Sequence, residues 1–165
     1  MSLAIGIRYL RGHAVATNPT NREEAEWPPH PARIFMAMAA AHFETGADPA
    51  ERKALEWLET QPSPSLAAPE APPRSACTVF VPVNDKAGPA KSLLQSAPGL
   101  PRSRQPRSFP TVCVGDEPVF CTWPDAAPDG ETRAALAAVG GKVTRIGHSS
   151  SLVQMWLADD APEPN

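Results

Sequence analysis

The residues best able to do chemistry fall in three strings. The first is Leu100-Pro101-Arg102-Ser103-Arg104-Gln105-Pro106-Arg107-Ser108-Phe109-Pro110, in which three prolines hold three arginines extended. Arginine presents a planar fork of donors to phosphate oxygens, and spaced, extended display lets several forks meet one strand. A solvated loop accounts for the same string without function. The second is Glu26-Trp27-Pro28-Pro29-His30-Pro31-Ala32-Arg33-Ile34-Phe35. Its prolines fix an entry angle that presents Trp27, His30 and Arg33 together; a rigid turn with a packed indole reads equally well. The third runs from Gly140-Gly141-Lys142 through Arg145 to Gly147-His148-Ser149-Ser150-Ser151. Glycine admits a phosphodiester close to the backbone, and Arg145, His148 and the serines can donate to its oxygens. A helix C-terminus followed by a serine turn is the plainer reading, and no GK[ST] makes it a P-loop.

The charge distribution supports a polyanion along one edge. Fifteen Lys and Arg stand against eighteen Asp and Glu, a net −3, which disfavours a generally nucleic-acid-coated surface. Lys86, Lys91, Arg102, Arg104 and Arg107 nevertheless follow one another with no acid between them. His13, His30, His42 and His148 could supply acid–base chemistry, and metal-free cleavage of RNA needs little more than a placed imidazole beside a phosphate. HExxH, GxSxG and a DxD-type carboxylate cluster are absent, so metal-hydrolase and serine-hydrolase readings lack support. Neither a metal nor another cofactor is implied. Cys77, Cys113 and Cys121 are odd in number and too widely spaced for a zinc ribbon; reduced core thiols are expected. With no basic, apolar leader and no long uncharged apolar run, the expectation is a soluble cytoplasmic protein with no membrane contact.

The elements that position these strings follow from periodicity. With 165 residues, 42% of them apolar, the chain has material for one domain and its core, while 21 prolines exclude long uninterrupted helices. Leu3, Ile5, Ile7 and Tyr9 alternate with Ala4, Gly6 and Arg8, predicting a strand that ends near Gly12. Pro31 opens a helix carrying Ile34, Phe35, Met38, Ala41 and His42, and Asp48-Pro49 opens a second with Ala54, Leu55 and Leu58. After a proline-rich linker over 62–73, Cys77, Val79 and Val81 predict the second strand. Residues 84–110 read as a long basic connection without an apolar period; 112–114 and 119–123 read as strand or hairpin about Gly115-Asp116-Glu117-Pro118. Asp129 caps a helix ending at Gly140-Gly141, and 142–146 and 152–157 close the fold as strands around the loop 147–151. The order is βαββαβ, an α+β, ferredoxin-like (RRM-like) domain.

Taken together, EWPPHPARIF, FVPVND with LPRSRQPRSFP, and RIGHSSSLV resemble the N-terminal part of the fused "Cas five and Cas six" proteins of type I-U (I-G) CRISPR systems, in the RAMP superfamily. The resemblance runs from about Ile5 to about Leu157. It implies a Cas-five-like domain over 1–158 with a thumb-like insertion over 84–110, followed at 159–165 by an acidic tail or linker to a downstream half. By the same resemblance, the domain grips the 5′ handle of a guide RNA and caps the backbone of the interference complex, Cascade. Its partners would be the backbone and large subunits, and it would meet target DNA only indirectly. The RNA-binding residues expected are Arg102, Arg104, Arg107, Lys86 and Lys91, then Arg145, Gly147, His148, Ser149 and Ser150, and finally Trp27, His30 and Arg33, with no catalytic residue. The competing reading is a metal-independent endoribonuclease processing the CRISPR precursor through His13, His30 or His148; the family's processing activity belongs to the downstream half. A protein-interaction module of ferredoxin-like type is the third.

Overall fold

The computed structural model describes residues 2–74, 78–82 and 104–158, with the backbone alone at Pro82 and Arg104. Its strands are β1 (Leu3–Tyr9), β2 (His13–Val15), β3 (Ser65–Ala67), β4 (Pro73–Arg74), β5 (Thr78–Pro82), β6 (Arg104–Ser108), β7 (Thr111–Cys113), β8 (Val119–Trp123) and β9 (Val153–Ala158). The helices among the described residues are α1 (Pro31–Glu44), α2 (Pro49–Glu59) and α3 (Gly130–Lys142).

The main sheet has the order β3-β8-β1-β9, every neighbouring pair antiparallel. With α1 and α2 between β1 and β3, and α3 between β8 and β9, this is the ferredoxin-like arrangement. One face of β1, Leu3, Ile5, Ile7 and Tyr9, is buried against Ile34 and Met38 of α1, Leu55 and Leu58 of α2, and Leu136 and Val139 of α3. Strand alternation turns Ala4, Gly6 and Arg8 to the other face.

Local chemistry explains where the helices begin. Pro31 and Pro49 occupy first-turn positions whose missing N–H would have gone unpaired in any case. Asp48 accepts from the Ala50 amide at 2.7 Å, and Asp129 accepts from the Thr132 amide at 2.7 Å, which holds its carboxyl below the usual range. At α1 the cap is an imidazole: His30 Nδ1 accepts from the Ala32 amide at 3.2 Å.

The structure corrects the sequence reading at five places. The second strand of the ferredoxin-like sheet is β3, inside the proline-rich stretch expected to be linker. The apolar run at Val79 and Val81 is strand as expected, but it pairs with β6, from Thr78 opposite Ser108 to Pro82 opposite Arg104, in a separate two-stranded ribbon. That ribbon also puts strand at the end of a connection expected to lack it. Residues 112–114 and 119–123 form no hairpin: β7 pairs with β2 and with β4 in a three-stranded sheet, while β8 pairs with β1. Between them Gly115, at φ +73°, carries the chain from one sheet to the other, and the amides of Val114 and Gly115 both donate to the Gly12 carbonyl. Finally, α3 passes through both glycines to Lys142, and of 142–146 only Arg145 makes a bridge, to Leu152. Gly140 is buried in the helix beside Met155, whose sulfur would lie at an ordinary contact distance of 3.6 Å from a Cβ there.

The cysteines divide. Cys121 is a core thiol that burial pushes up to about 12. Cys113 is exposed, against expectation, and Cys77 lies outside the described residues. No helix among the described residues is long and apolar enough to cross a membrane.

Candidate nucleic-acid interface

The loop after α3 owes its shape to β2. Ser151, with no exposed surface, accepts from the Val15 amide through Oγ at 2.8 Å and donates to the Val15 carbonyl at 3.3 Å. The same carbonyl accepts from the His148 amide at 3.2 Å. Gly147 is needed twice over: its φ is +76°, and a Cβ would come within 3.1 Å of the Val15 carbonyl oxygen. Val15 lies outside the three strings, and Ser151 and Phe109, though within them, are not among the expected RNA-binding residues. Ser151 could have been suspected as the last of three serines before an apolar strand, but nothing local names its partner 136 positions away.

This loop brings the three strings together. Arg33 Cδ would lie 3.6 Å from a Cβ at Gly147, so the proline-rich helix entry touches the loop. Phe109, just beyond β6, sets its ring 4.9 Å from that of His148, so the base of the arginine ribbon touches it as well. His148 is exposed, and its Nδ1 accepts from the Ser150 amide at 3.2 Å and lies 2.8 Å from the Ser150 hydroxyl. In the neutral ring the proton therefore sits on Nε2. Ser149 is exposed.

Between α1 and this loop lies a groove of about 300 Å³, walled by Arg33, Met36, Ala40, Lys142, Arg145 and Gly147. Its three cations are all paired, but unequally. Arg33 makes a two-point contact with Glu26, Nε to Oε1 at 2.7 Å and Nη2 to Oε2 at 2.9 Å. The Arg33 hydrogen bonds hold the Glu26 carboxyl below the usual range and raise the guanidinium in turn. Lys142 donates to Glu51, a buried carboxylate whose other oxygen lies 3.2 Å from His42 Nδ1. Arg145 meets Glu44 at 3.3 Å, with both side chains about half exposed.

The second string is thus largely occupied with structure. Glu26 also accepts from the His30 amide at 3.1 Å. Trp27 stacks obliquely on Tyr9 at 5.8 Å and donates its indole N–H to the Pro69 carbonyl at 3.0 Å.

The ribbon differs. Val79, Phe80 and Val81 are 46%, 59% and 38% exposed, and the described side chains of β6 are exposed too. Arg107, opposite Val79, donates to Gln105 at 3.1 Å and to no carboxylate among the described residues. Arg104 lies on the same strand, opposite Pro82. Lys86, Lys91 and Arg102 lie outside the described residues. Among the described residues no three His, Cys, Asp or Glu side chains gather as metal ligands.

No curated protein matches the chain. The family model for "CRISPR-associated protein, GSU0054 family" matches residues 4–87, a span that begins in β1 and runs through α1, α2, β3 and β5. That span is just over half of the 165 residues, and the chain belongs to the GSU0054 family of CRISPR-associated proteins.

Proposed function

We propose that this chain is a structural, guide-RNA-binding subunit of a type I CRISPR interference complex, the Cas-five-like part of a type I-U (I-G) system. In this reading it holds the 5′ handle of the guide and caps the backbone of Cascade. The observation that carries it is the β5–β6 ribbon: exposed along its described length and bearing Arg104 and Arg107 on a strand without acid. A two-stranded ribbon is marginal by itself, and one that exposes Phe80 and two valines beside arginines suits a partner with both flat apolar faces and negative charge. Single-stranded RNA is such a partner. The thumb, residues 84–110, would include β6 of this ribbon. The loop 147–151 would meet the RNA at the ribbon's base, where Phe109 touches His148. Arg145 would be the first groove cation to engage phosphate, since its exposed pair with Glu44 contributes little to stability.

The test is co-purification of the full chain with nucleic acid, followed by sequencing of what is bound. Repeat-derived RNA bound intact is the expected result. Recovery of protein free of RNA, with no measurable affinity for repeat RNA added back, would refute the proposal.

A further inference from the structure

The face of the main sheet turned away from the helices carries a feature that neither the ribbon nor the groove uses. The strand registers set Gly6 opposite Phe120 on one side and Trp156 on the other, making a row across β8, β1 and β9. Glycine is required in the middle of that row, because a Cβ would fall 2.4 Å from Trp156 Cε2 and 2.5 Å from Cζ2. The indole therefore lies over β1 and meets Phe120 edge to face, ring centres 6.2 Å apart and planes at 88°. Two residues along β1, the exposed Arg8 holds its guanidinium 6.0 Å from the centre of the indole. Both aromatics are partly buried and keep part of their surface open to solvent.

The chemistry around this pair selects the occupant. One register step away stand Thr122, opposite Ala4, and Gln154, opposite Arg8, which offer a hydroxyl and an amide. The strand positions on this face, residues 4, 6, 8, 65, 67, 120, 122, 154, 156 and 158, include no carboxylate, so Arg8 has no anion beside it on these strands. Leu10 and Leu152, joined by a 2.9 Å backbone bond, rim it and are 58% and 40% exposed. A flat indole, a planar cation and side-chain donors within one register step match a nucleobase followed by its phosphate.

We propose that this face is a second RNA site, at which an unpaired base of a single strand stacks on Trp156 and Phe120 while Arg8 takes an adjacent phosphate. It rests on the RNA-binding reading above, but uses different residues on the opposite side of the sheet from the groove. It selects single strands, because a base within a duplex has no free face to give.

The unaltered full chain is irradiated with single-stranded oligo-5-iodouridine, and the cross-linked peptides are identified. A cross-link at Trp156 or Phe120, suppressed by unlabelled single-stranded RNA but not by duplex of equal length, is the expected result. In binding titrations with the same oligonucleotide, Trp156→Ala lowers affinity about tenfold, and Arg8→Ala flattens the log–log salt slope by about 0.7. Cross-links confined to the ribbon, or unchanged affinity in a folded Trp156→Ala chain, overturn this site and leave the RNA-binding reading standing. No binding by the unaltered chain overturns both. Dimerisation that Trp156→Ala abolishes would assign the face to a second copy and overturn the site. Should Trp156→Ala fail to fold, the cross-link map of the unaltered chain decides.

Discussion

The groove beside α1 and the β5–β6 ribbon are both arginine-bearing, and they use that residue in opposite ways. In the groove each cation has its own glutamate: Arg33 with Glu26, Lys142 with Glu51, Arg145 with Glu44. Those pairs tie helix entry, helix end and loop together, so the charge is spent on holding the shape against which Gly147 and His148 are set. On the ribbon, Arg107 has only a glutamine among the described residues, and no acid lies on either strand. Cationic residue type is thus a poor guide to phosphate binding by itself; the supply of local carboxylates decides what a cation is free to do.

The largest effect expected from this contrast is on the ribbon. Changing Arg102, Arg104 and Arg107 to Ala should lower RNA affinity about a hundredfold at moderate salt and flatten the log–log salt slope by about two units, with thermal stability unchanged. Titrations at several salt concentrations measure it, and an unaltered slope would erase the distinction between the two regions.

Next comes the pin of the groove loop. Ser151→Ala leaves the buried Val15 amide without its 2.8 Å acceptor and should cost about 2 kcal/mol in denaturant unfolding. It should weaken RNA binding only through disorder of the loop.

A smaller effect is expected at Glu26. Its folded carboxyl is held below the ordinary value by Arg33, so its contribution is full at neutral pH. That contribution is lost as pH falls from about 4.3, the ordinary glutamate value, through the lowered one. Glu26→Gln should cost about 1 kcal/mol at neutral pH and make stability less dependent on pH on the acid side. Melting curves between about pH 6 and 3 check both, and parallel loss in the two proteins would show that the pair is not a source of acid sensitivity.

The smallest change sharpens the comparison from the groove side. Glu44→Gln frees Arg145 from a half-exposed pair worth little, so RNA affinity should rise about twofold with no change in melting temperature. An equal rise on Glu26→Gln would mean that the partly buried and the exposed pairs are not different in kind.

Strand periodicity in β1, the proline and carboxylate starts of the helices, and the βαββαβ order are decided within short windows of sequence. Each depends on contacts of a few residues, and the structure has each of them. Pairing partners are not decided there. Thr78–Pro82 carries the stronger strand signal, with alternating β-branched and aromatic residues, yet the sheet takes the three-residue Ser65–Ala67, because β8 offers an edge that this short segment can reach directly after α2. The same holds for function. The sequence determined that arginines would be displayed between prolines and that glycine and serine would surround His148. Only the tertiary structure decided that Arg33 would be claimed by Glu26, that Ser151 would be buried under β2, and that Gly6 would make room for Trp156 beside Phe120 and Arg8. Charge pairing and close packing join residues far apart in the chain, and no local pattern carries that information.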